Sequence, residues 1–292
     1  MSNICISAIV TTHNRARLLP RALDSVLAQT RPADEVIVID DGSTDETQAT
    51  LASRYPAIRN IRQNQSGVSA ARNRAIQAAS GDWLAFLDDD DAWLPEKLAL
   101  QQQAIEDSPG YRLCHGDEIW IRNGRRVNPM DKHKKQGGWI YPQCLPRCVI
   151  SPSCVIIHRS VFTDIGHFDT DLPACEDYDL WLRICAQEAV LFIDQPLIEK
   201  YGGHEDQLSR KHWGMDRFRM IALEKMLASN QLNEDNRRLT LETLLEKLTI
   251  YRNGAEKRGK HDAVAQTQQR LDHYAALLPA ANTNQQNKIS CC

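Results

Sequence analysis

An acidic run in this sequence is of the type that binds metal ions. Residues Asp88 to Asp91 are four consecutive aspartates, and they follow the apolar segment 83–87. Adjacent carboxylates repel one another, so a protein seldom packs them without a counter-charge. Carboxylate oxygens suit Mg²⁺ or Mn²⁺. The run therefore predicts a divalent metal site, and a solvated acidic turn is the alternative.

Three further groups of polar residues could also do chemistry. Two of them follow apolar segments, and the third begins a segment with helical spacing. Asp40 and Asp41 come directly after the apolar segment 35–39. A second group, Thr11, Thr12, His13 and Asn14, ends the apolar stretch that starts at residue 4. A third group, Glu176 and Asp177, opens the segment 176–188, whose apolar residues have helical spacing. Carboxylates and a histidine in these places could bind a ligand or accept a proton.

The elements that position these groups alternate along the first half of the chain. Apolar or β-branched segments predict strands, and apolar residues at helical spacing predict helices between them. The predicted strands are 4–12, 35–39, 58–62 and 83–87. The predicted helices are 16–29 and 68–79, and a further helix between them is expected to be capped by Ser43 or Thr44. This order is typical of an α/β domain with a mainly parallel sheet. Ligands of such sheets bind at the carboxyl ends of the strands, where the polar groups lie.

The second half of the sequence has a different pattern. Asn123-Gly124 between two β-type segments predicts a hairpin turn. Strands are expected at 153–158 and 190–198, and helices from about residue 213. The last dozen residues, rich in Asn and Gln, are expected to be disordered.

Composition narrows the class of protein. The 292 residues are 42% hydrophobic and carry a formal net charge of −3, without the basic excess usual in nucleic-acid-binding domains. The sequence has no secretory-type start and no apolar stretch of about 18 residues, so we expect a cytoplasmic protein. Peripheral contact with the inner face of a membrane is left open. Nine cysteines are present, and Cys144, Cys148, Cys154 and His158 lie close together. They are interpreted as free thiols, with a zinc site as the alternative.

Six short motifs in order resemble the family 2 glycosyltransferases. They are IVTTHNRARLL (9–19), VIDDGSTDET (38–47), SGVSAARNRA (66–75), FLDDDDAWLP (86–95), GHFDTDL (166–172) and EDYDLWLRI (176–184). The resemblance covers about residues 4–210. It implies an inverting enzyme of the GT-A fold: a Rossmann-like mixed, mainly parallel sheet flanked by helices, here with a C-terminal helical extension.

The resemblance implies roles on the nucleotide side. Asp40 or Asp41 would accept a hydrogen bond from a uracil imide, and a helix-capping aspartate is the alternative. Thr11 to Asn14 would line the nucleotide pocket. Arg72 falls where a basic residue often faces the nucleotide, although on a helix it could equally be a surface residue.

The resemblance also implies roles in catalysis. Asp88 would face the ribose and the metal, Asp89 the nucleotide sugar, and Asp90 would bind Mn²⁺ or Mg²⁺ directly, with a register shift of one left open. Asp177 of the pair with Glu176 would be the general base, and the alternative is an acidic helix start. The family often carries a histidine where His204 stands, which would reach the metal or the diphosphate.

The resemblance implies a metal-dependent hexosyltransferase that uses a nucleotide-sugar donor, with UDP expected. The acceptor would be a glycan or lipid-linked glycan of a bacterial surface polysaccharide or lipopolysaccharide. We expect a catalytic domain over 1–212, with a nucleotide-binding half to about 95 and an acceptor half from 96. A helical region over 213–280 and a tail over 281–292 would follow. A non-catalytic nucleotide-sugar-binding protein of the same fold is the alternative.

Overall fold

A computed structural model describes residues 4–203 and 214–278, and its first half follows the predicted alternation of strands and helices. The strands in chain order are β1 (Ile6–Thr12), β2 (Glu35–Asp40), β3 (Arg59–Arg62), β4 (Trp83–Asp88), β5 (Ala92–Trp93), β6 (Leu113–Arg122), β7 (Arg125–Val127), β8 (Ile156–His158) and β9 (Leu191–Gly202). The α-helices are α1 (Leu19–Leu27), α2 (Thr47–Arg54), α3 (Val68–Ala78), α4 (Lys97–Asp107), α5 (Tyr141–Cys144), α6 (Ser160–Asp164), α7 (Glu176–Cys185), α8 (Asp216–Ala228), α9 (Glu234–Glu256) and α10 (His261–Ala275).

One mixed sheet carries the nine strands of the described residues. Its order is β3-β2-β1-β4-β8-β6-β9-β5, with β7 paired to β6 as the predicted hairpin. Strands β1 to β4 are mutually parallel, β8 runs antiparallel between β4 and β6, and β9 is parallel to β6. Every residue of β1 is buried, as expected for a strand in a parallel sheet covered on both faces. The mixed, mainly parallel sheet flanked by helices is therefore confirmed.

The pairing register brings the polar groups to one edge of the sheet. Thr12 at the end of β1 pairs with Asp40 at the end of β2. Thr11 pairs with Asp88 at the end of β4. Because these strands are parallel, the three polar segments that follow them emerge side by side, as the sequence predicted.

Two details of the sequence-based prediction are wrong. Helix α2 begins at Thr47, and neither Ser43 nor Thr44 caps it. The Asp45 carboxylate instead accepts a hydrogen bond from the Thr47 amide at 3.0 Å. The expected strand 153–158 forms only over Ile156–His158, because the Cys154 amide donates to the Ser151 carbonyl oxygen at 2.9 Å within a 3-10 turn over Pro152–Cys154.

The described residues fall into two compact units, one up to Arg219 and the other from Met220. The unit up to Arg219 contains the sheet, and the other is helical. The expected boundary at residue 212 stays a prediction, and the tail 281–292 lies outside the described residues. No helix within 4–203 or 214–278 has the length and apolar character to span a bilayer.

Candidate active site

The carboxylates of the acidic run face different partners. Asp88, the last residue of β4, accepts a hydrogen bond from Arg72 Nη2 at 2.6 Å. Asp91 accepts hydrogen bonds from Ser153 Oγ at 2.6 Å and from the Tyr201 amide at 2.9 Å. Asp91 is buried and joins β9 to the turn after β4. Its contacts are structural, because both of its oxygens accept hydrogen bonds from the protein.

The middle of the run lies against the start of α1. The Thr12 hydroxyl donates to Asp89 Oδ2 at 2.7 Å. Arg15 Nη1 lies 4.0 Å from Asp89 and 3.8 Å from Asp90, and Arg21 donates to the Asp90 carbonyl oxygen. Burial raises the pKa of the Asp89 carboxyl to about 7, with Arg15 opposing that rise. The protein therefore supplies part of the counter-charge that four adjacent carboxylates require.

Arg72 links the acidic run to the acidic pair Glu176 and Asp177. It lies on α3 and is only 3% exposed. Its Nη2 atom binds Asp88, and its Nη1 atom donates to Glu176 Oε1 at 2.7 Å. The guanidinium also lies 5.1 Å from the centre of the Phe168 ring. The alternative that Arg72 is a surface residue is wrong, because the helix turns this side chain toward the sheet edge.

The pair Glu176 and Asp177 begins α7, as predicted. The preceding Cys175 has a left-handed backbone, with φ of 65°, so the chain turns sharply into the helix. Burial, with the Asp177 charge adding, raises the pKa of the Glu176 carboxyl to about 7, and Arg72 opposes this rise. Asp177 is partly exposed, and its Oδ1 atom accepts a hydrogen bond from the Tyr178 amide at 2.7 Å. Of the two acids, Asp177 is the one that a substrate can reach.

The acidic pair at the end of β2, Asp40 and Asp41, is buried and hydrogen-bonded to both nearby and distant segments. Asp40 Oδ1 accepts a hydrogen bond from the Ser43 amide at 2.8 Å. Asp41 accepts from the amides of Ser66 and Gly67, each at 2.8 Å, immediately before α3. Asp41 thus ties the end of β2 to the segment before α3, and neither aspartate is the N-cap of α2, which is Glu46. Ligand binding by either residue stays a prediction.

The segment after β1 lies against this pair. His13 Nδ1 hydrogen-bonds to the carbonyl oxygen of Asp41 at 2.8 Å, which identifies Nδ1 as the protonated nitrogen. Asn14 Oδ1 accepts from the Thr44 amide at 2.7 Å. Thr11 is buried beside Asp88 in the sheet. The segment therefore lies at the sheet edge between the acidic pair Asp40 and Asp41 and the acidic run.

The metal interpretation rests on the chemistry of two carboxylates. Within the described parts of the chain, no three His, Cys, Asp or Glu side chains form a group that could hold a metal ion. Asp88 and Asp90 are 31% and 19% exposed in their side chains, and their oxygens are of the type that Mn²⁺ and Mg²⁺ take. Magnesium sites commonly use one or two carboxylates with substrate phosphates completing the shell, and the two aspartates fit that pattern. His204 lies outside the described residues.

The cysteine cluster does not form the alternative zinc site. Cys144 Sγ lies 3.9 Å from Cys185 Sγ, and Cys154 Sγ donates to the Gly116 carbonyl oxygen at 3.2 Å. Cys148 Sγ contacts Asp177 instead. The three thiols thus face three different partners, which agrees with the interpretation as free thiols.

Several residues at this edge were not singled out from the sequence. They are Arg15, Arg21, Ser153, Lys200 and Tyr201. The need for cations near an acidic run could have pointed to the two arginines, which follow β1 closely. The others come from distant segments, and no local sequence signal marks them.

Comparison with known proteins identifies related sequences. The family described as Glycosyl transferase family 2 matches residues 7–166. An uncharacterized glycosyltransferase of Rickettsia bellii (strain RML369-C) is 30% identical over 70% of this chain and 31% of its own length. Another from Haemophilus influenzae (strain ATCC 51907 / DSM 11121 / KW20 / Rd) is 29% identical over 61% of each protein. The chain therefore spans less than two thirds of these relatives.

Solved structures show the same fold. The crystal structure of S. aureus TarS 1-349 in complex with UDP-GlcNAc matches with a TM-score of 0.73 at 20% identity. The match covers 94% of this chain and 84% of that one. At this identity the likeness establishes the fold, which is of the GT-A type.

Proposed function

Because the chain belongs to glycosyl transferase family 2, we propose that it transfers a hexose from a UDP-sugar to an acceptor hydroxyl with inversion at the anomeric carbon. The observation that carries this proposal is the ion-paired unit formed by Arg72 with Asp88 and Glu176. This unit holds the acidic run, which we propose to face the donor, next to the helix start that carries Asp177. A donor diphosphate and an attacking hydroxyl could therefore occupy adjacent positions at this edge.

Support for a uridine nucleotide comes from the first acidic pair and from the related fold. An ionised carboxylate only accepts hydrogen bonds, which suits the imide N–H of uracil, so Asp40 or Asp41 would read the base. TarS, which has the same fold, binds UDP-GlcNAc and UDP in its crystal structures. Thr11 to Asn14 would complete the nucleotide pocket beside these aspartates.

Asp177 would act as the general base. Its carboxylate would accept the proton of the acceptor hydroxyl while that oxygen bonds to the anomeric carbon. The bond between the anomeric carbon and the diphosphate breaks from the opposite face, so the configuration inverts. Arg72 would hold Glu176 and Asp88 in place during this step, since it is hydrogen-bonded to both.

We also propose that Asp88 and Asp90 hold Mn²⁺ or Mg²⁺ against the donor diphosphate. A bound divalent cation would offset the negative charge that develops on the departing diphosphate. His204 is proposed as a further contact with the metal or the diphosphate, from the family resemblance of its sequence position.

The acceptor is proposed to be a glycan or lipid-linked glycan of a bacterial surface polysaccharide or lipopolysaccharide. The bacterial sources of the related glycosyltransferases support this context. We propose a cytoplasmic enzyme that meets a lipid-linked acceptor at the inner face of the membrane.

A thermal-shift screen tests the donor proposal. UDP, GDP, dTDP and CMP are each compared with and without Mn²⁺. We expect UDP with Mn²⁺ to raise the melting temperature most, because a ligand of the native state stabilises it by about 2.7 kcal/mol at a hundredfold excess over Kd. A larger shift with another nucleotide would replace UDP in the proposal, and no shift with any nucleotide would contradict the donor site.

The metal proposal predicts that Asp90→Ala weakens UDP binding in the presence of Mn²⁺. Titration calorimetry of UDP with and without Mn²⁺ measures the effect, and we expect at least about a tenfold loss of the metal-dependent affinity. Asp82→Ala is the matched control, because Asp82 is exposed at the opposite end of β4. Equal UDP affinity of Asp90→Ala and wild-type protein with Mn²⁺ would remove Asp90 from the proposed metal site.

A further inference from the structure

A cysteine thiol lies against the proposed base. Cys148 Sγ is 3.1 Å from Asp177 Oδ2, and it comes from a segment 29 residues away in the chain. The other carboxylate oxygen, Oδ1, accepts from the Tyr178 amide. Each oxygen of Asp177 therefore has one protein donor, and together the two contacts determine how the carboxylate is rotated.

The thiol is in the protonated form that can donate. Burial, with the nearby Asp177 charge adding, raises the pKa of the Cys148 thiol well above its usual value. A second acceptor, the Ile150 carbonyl oxygen, lies 3.2 Å from Sγ. Hydrogen bonds to a charged acceptor are stronger than those to a neutral one, so the single thiol hydrogen favours Asp177.

The segment that carries Cys148 is anchored on both sides. On one side, the Tyr178 hydroxyl donates to the Leu145 carbonyl oxygen at 2.6 Å, which ties the segment to α7. On the other side, Lys200 Nζ donates to Ser151 Oγ at 2.7 Å, which ties it to β9. Nearby Glu118 and Asp91 raise the pKa of Lys200, although burial opposes them, so this anchor is a cation.

We propose that Cys148 is a positioning residue for sugar transfer, whose thiol hydrogen bond directs Asp177 Oδ2 toward the acceptor hydroxyl. The inference rests on the proposed function of Asp177 as general base. Small changes in the orientation of a general base lower the rate of the transfer step, because the reacting atoms must be aligned when the proton moves. Cys148 itself does not touch the reacting atoms in this role.

Three substitutions of Cys148 separate hydrogen bonding from packing. Serine keeps a donor but is smaller and more polar, valine keeps the apolar volume but has no donor, and alanine has neither. The readouts are the kcat and KM of UDP release from UDP-glucose, UDP-galactose and UDP-GlcNAc with water as acceptor, together with UDP affinity by calorimetry and the melting temperature. Asp177→Asn and the double variant Cys148→Val/Asp177→Asn are made in parallel.

We expect Cys148→Val and Cys148→Ala to lower kcat by about tenfold or more, and Cys148→Ser to stay within about threefold of wild type. UDP affinity should be unchanged in all three variants. Because Cys148 would act through Asp177, Cys148→Val should not lower kcat further when Asp177 is already asparagine.

Three outcomes would overturn the positioning role. The first is a Val variant more active than the Ser variant, which would assign Cys148 to packing. The second is a full valine effect that persists in the Asp177→Asn background. The third is kcat values of all three variants equal to that of the wild type. A fully active Asp177→Asn protein would instead contradict the proposed general base, so the two failures are distinguishable.

Discussion

The Asp177→Asn variant is expected to lose at least about 10²-fold in kcat while it binds UDP as the wild-type protein does. An asparagine amide has nearly the same size as the carboxylate, but it cannot accept a proton at neutral pH. Its carbonyl oxygen can still accept the hydrogen bond from the Tyr178 amide, so the start of α7 should keep its conformation. The loss should therefore appear in the transfer step and not in the melting temperature.

The measurement is the rate of UDP release from a UDP-sugar, together with calorimetry of UDP binding. Asp82→Asn is the matched control, since Asp82 is an exposed acid at the amino-terminal end of β4, away from the candidate site. Wild-type rates in the Asp177 variant would exclude the general-base role. If wild-type protein released no UDP under any condition but still bound it, a non-catalytic nucleotide-sugar-binding protein would become the better description.

Arg72→Met is expected to destabilise the protein by about 3–5 kcal/mol, the usual cost of removing one partner from a buried ion pair. The Arg72 and Glu176 side chains are only 4% and 5% exposed, so water cannot replace the lost guanidinium. Methionine keeps much of the apolar contact with Phe168, which limits the loss from packing. The variant should also lose transfer activity, because Asp88 and Glu176 lose their shared partner.

Urea unfolding followed by tryptophan fluorescence measures the change in unfolding free energy. All six tryptophans precede residue 214, so the signal reports on the unit up to Arg219 that contains Arg72. Arg54→Met is the matched control. Arg54 pairs with Asp24 at 3.3 Å, but the two side chains are 53% and 58% exposed, and such surface pairs contribute about 0–1 kcal/mol. Equal unfolding free energies for the two variants would contradict the structural importance of the Arg72 pair.

The strands of the first half and the sheet edge that carries the polar groups could be predicted from local sequence. Apolar segments of strand length, separated by helical spacing, predict a parallel sheet, and β1, β2 and β4 form within it. Because polar residues follow each of these strands, their meeting at one edge is a consequence of parallel pairing. The start of α7 at Glu176 was predictable for the same local reason, an acidic pair followed by apolar residues at helical spacing.

The partners of the individual carboxylates could not be predicted, because they depend on side chains far apart in the chain. Arg72 reaches Glu176 across 104 residues, and Tyr201 reaches Asp91 across 110. Four identical residues, Asp88 to Asp91, consequently acquire different environments: one paired with arginine, two buried, and one beside Arg15 and Arg21.

The sequence by itself thus determined which elements form and which edge of the sheet carries the polar groups, since both follow from periodicity and chain order. Only the tertiary structure decided that Arg72 is a buried link and not a surface residue, and that Cys148 contacts Asp177. The physical reason is that burial and hydrogen-bond partners are properties of the packed chain, and local composition does not encode which distant segments meet.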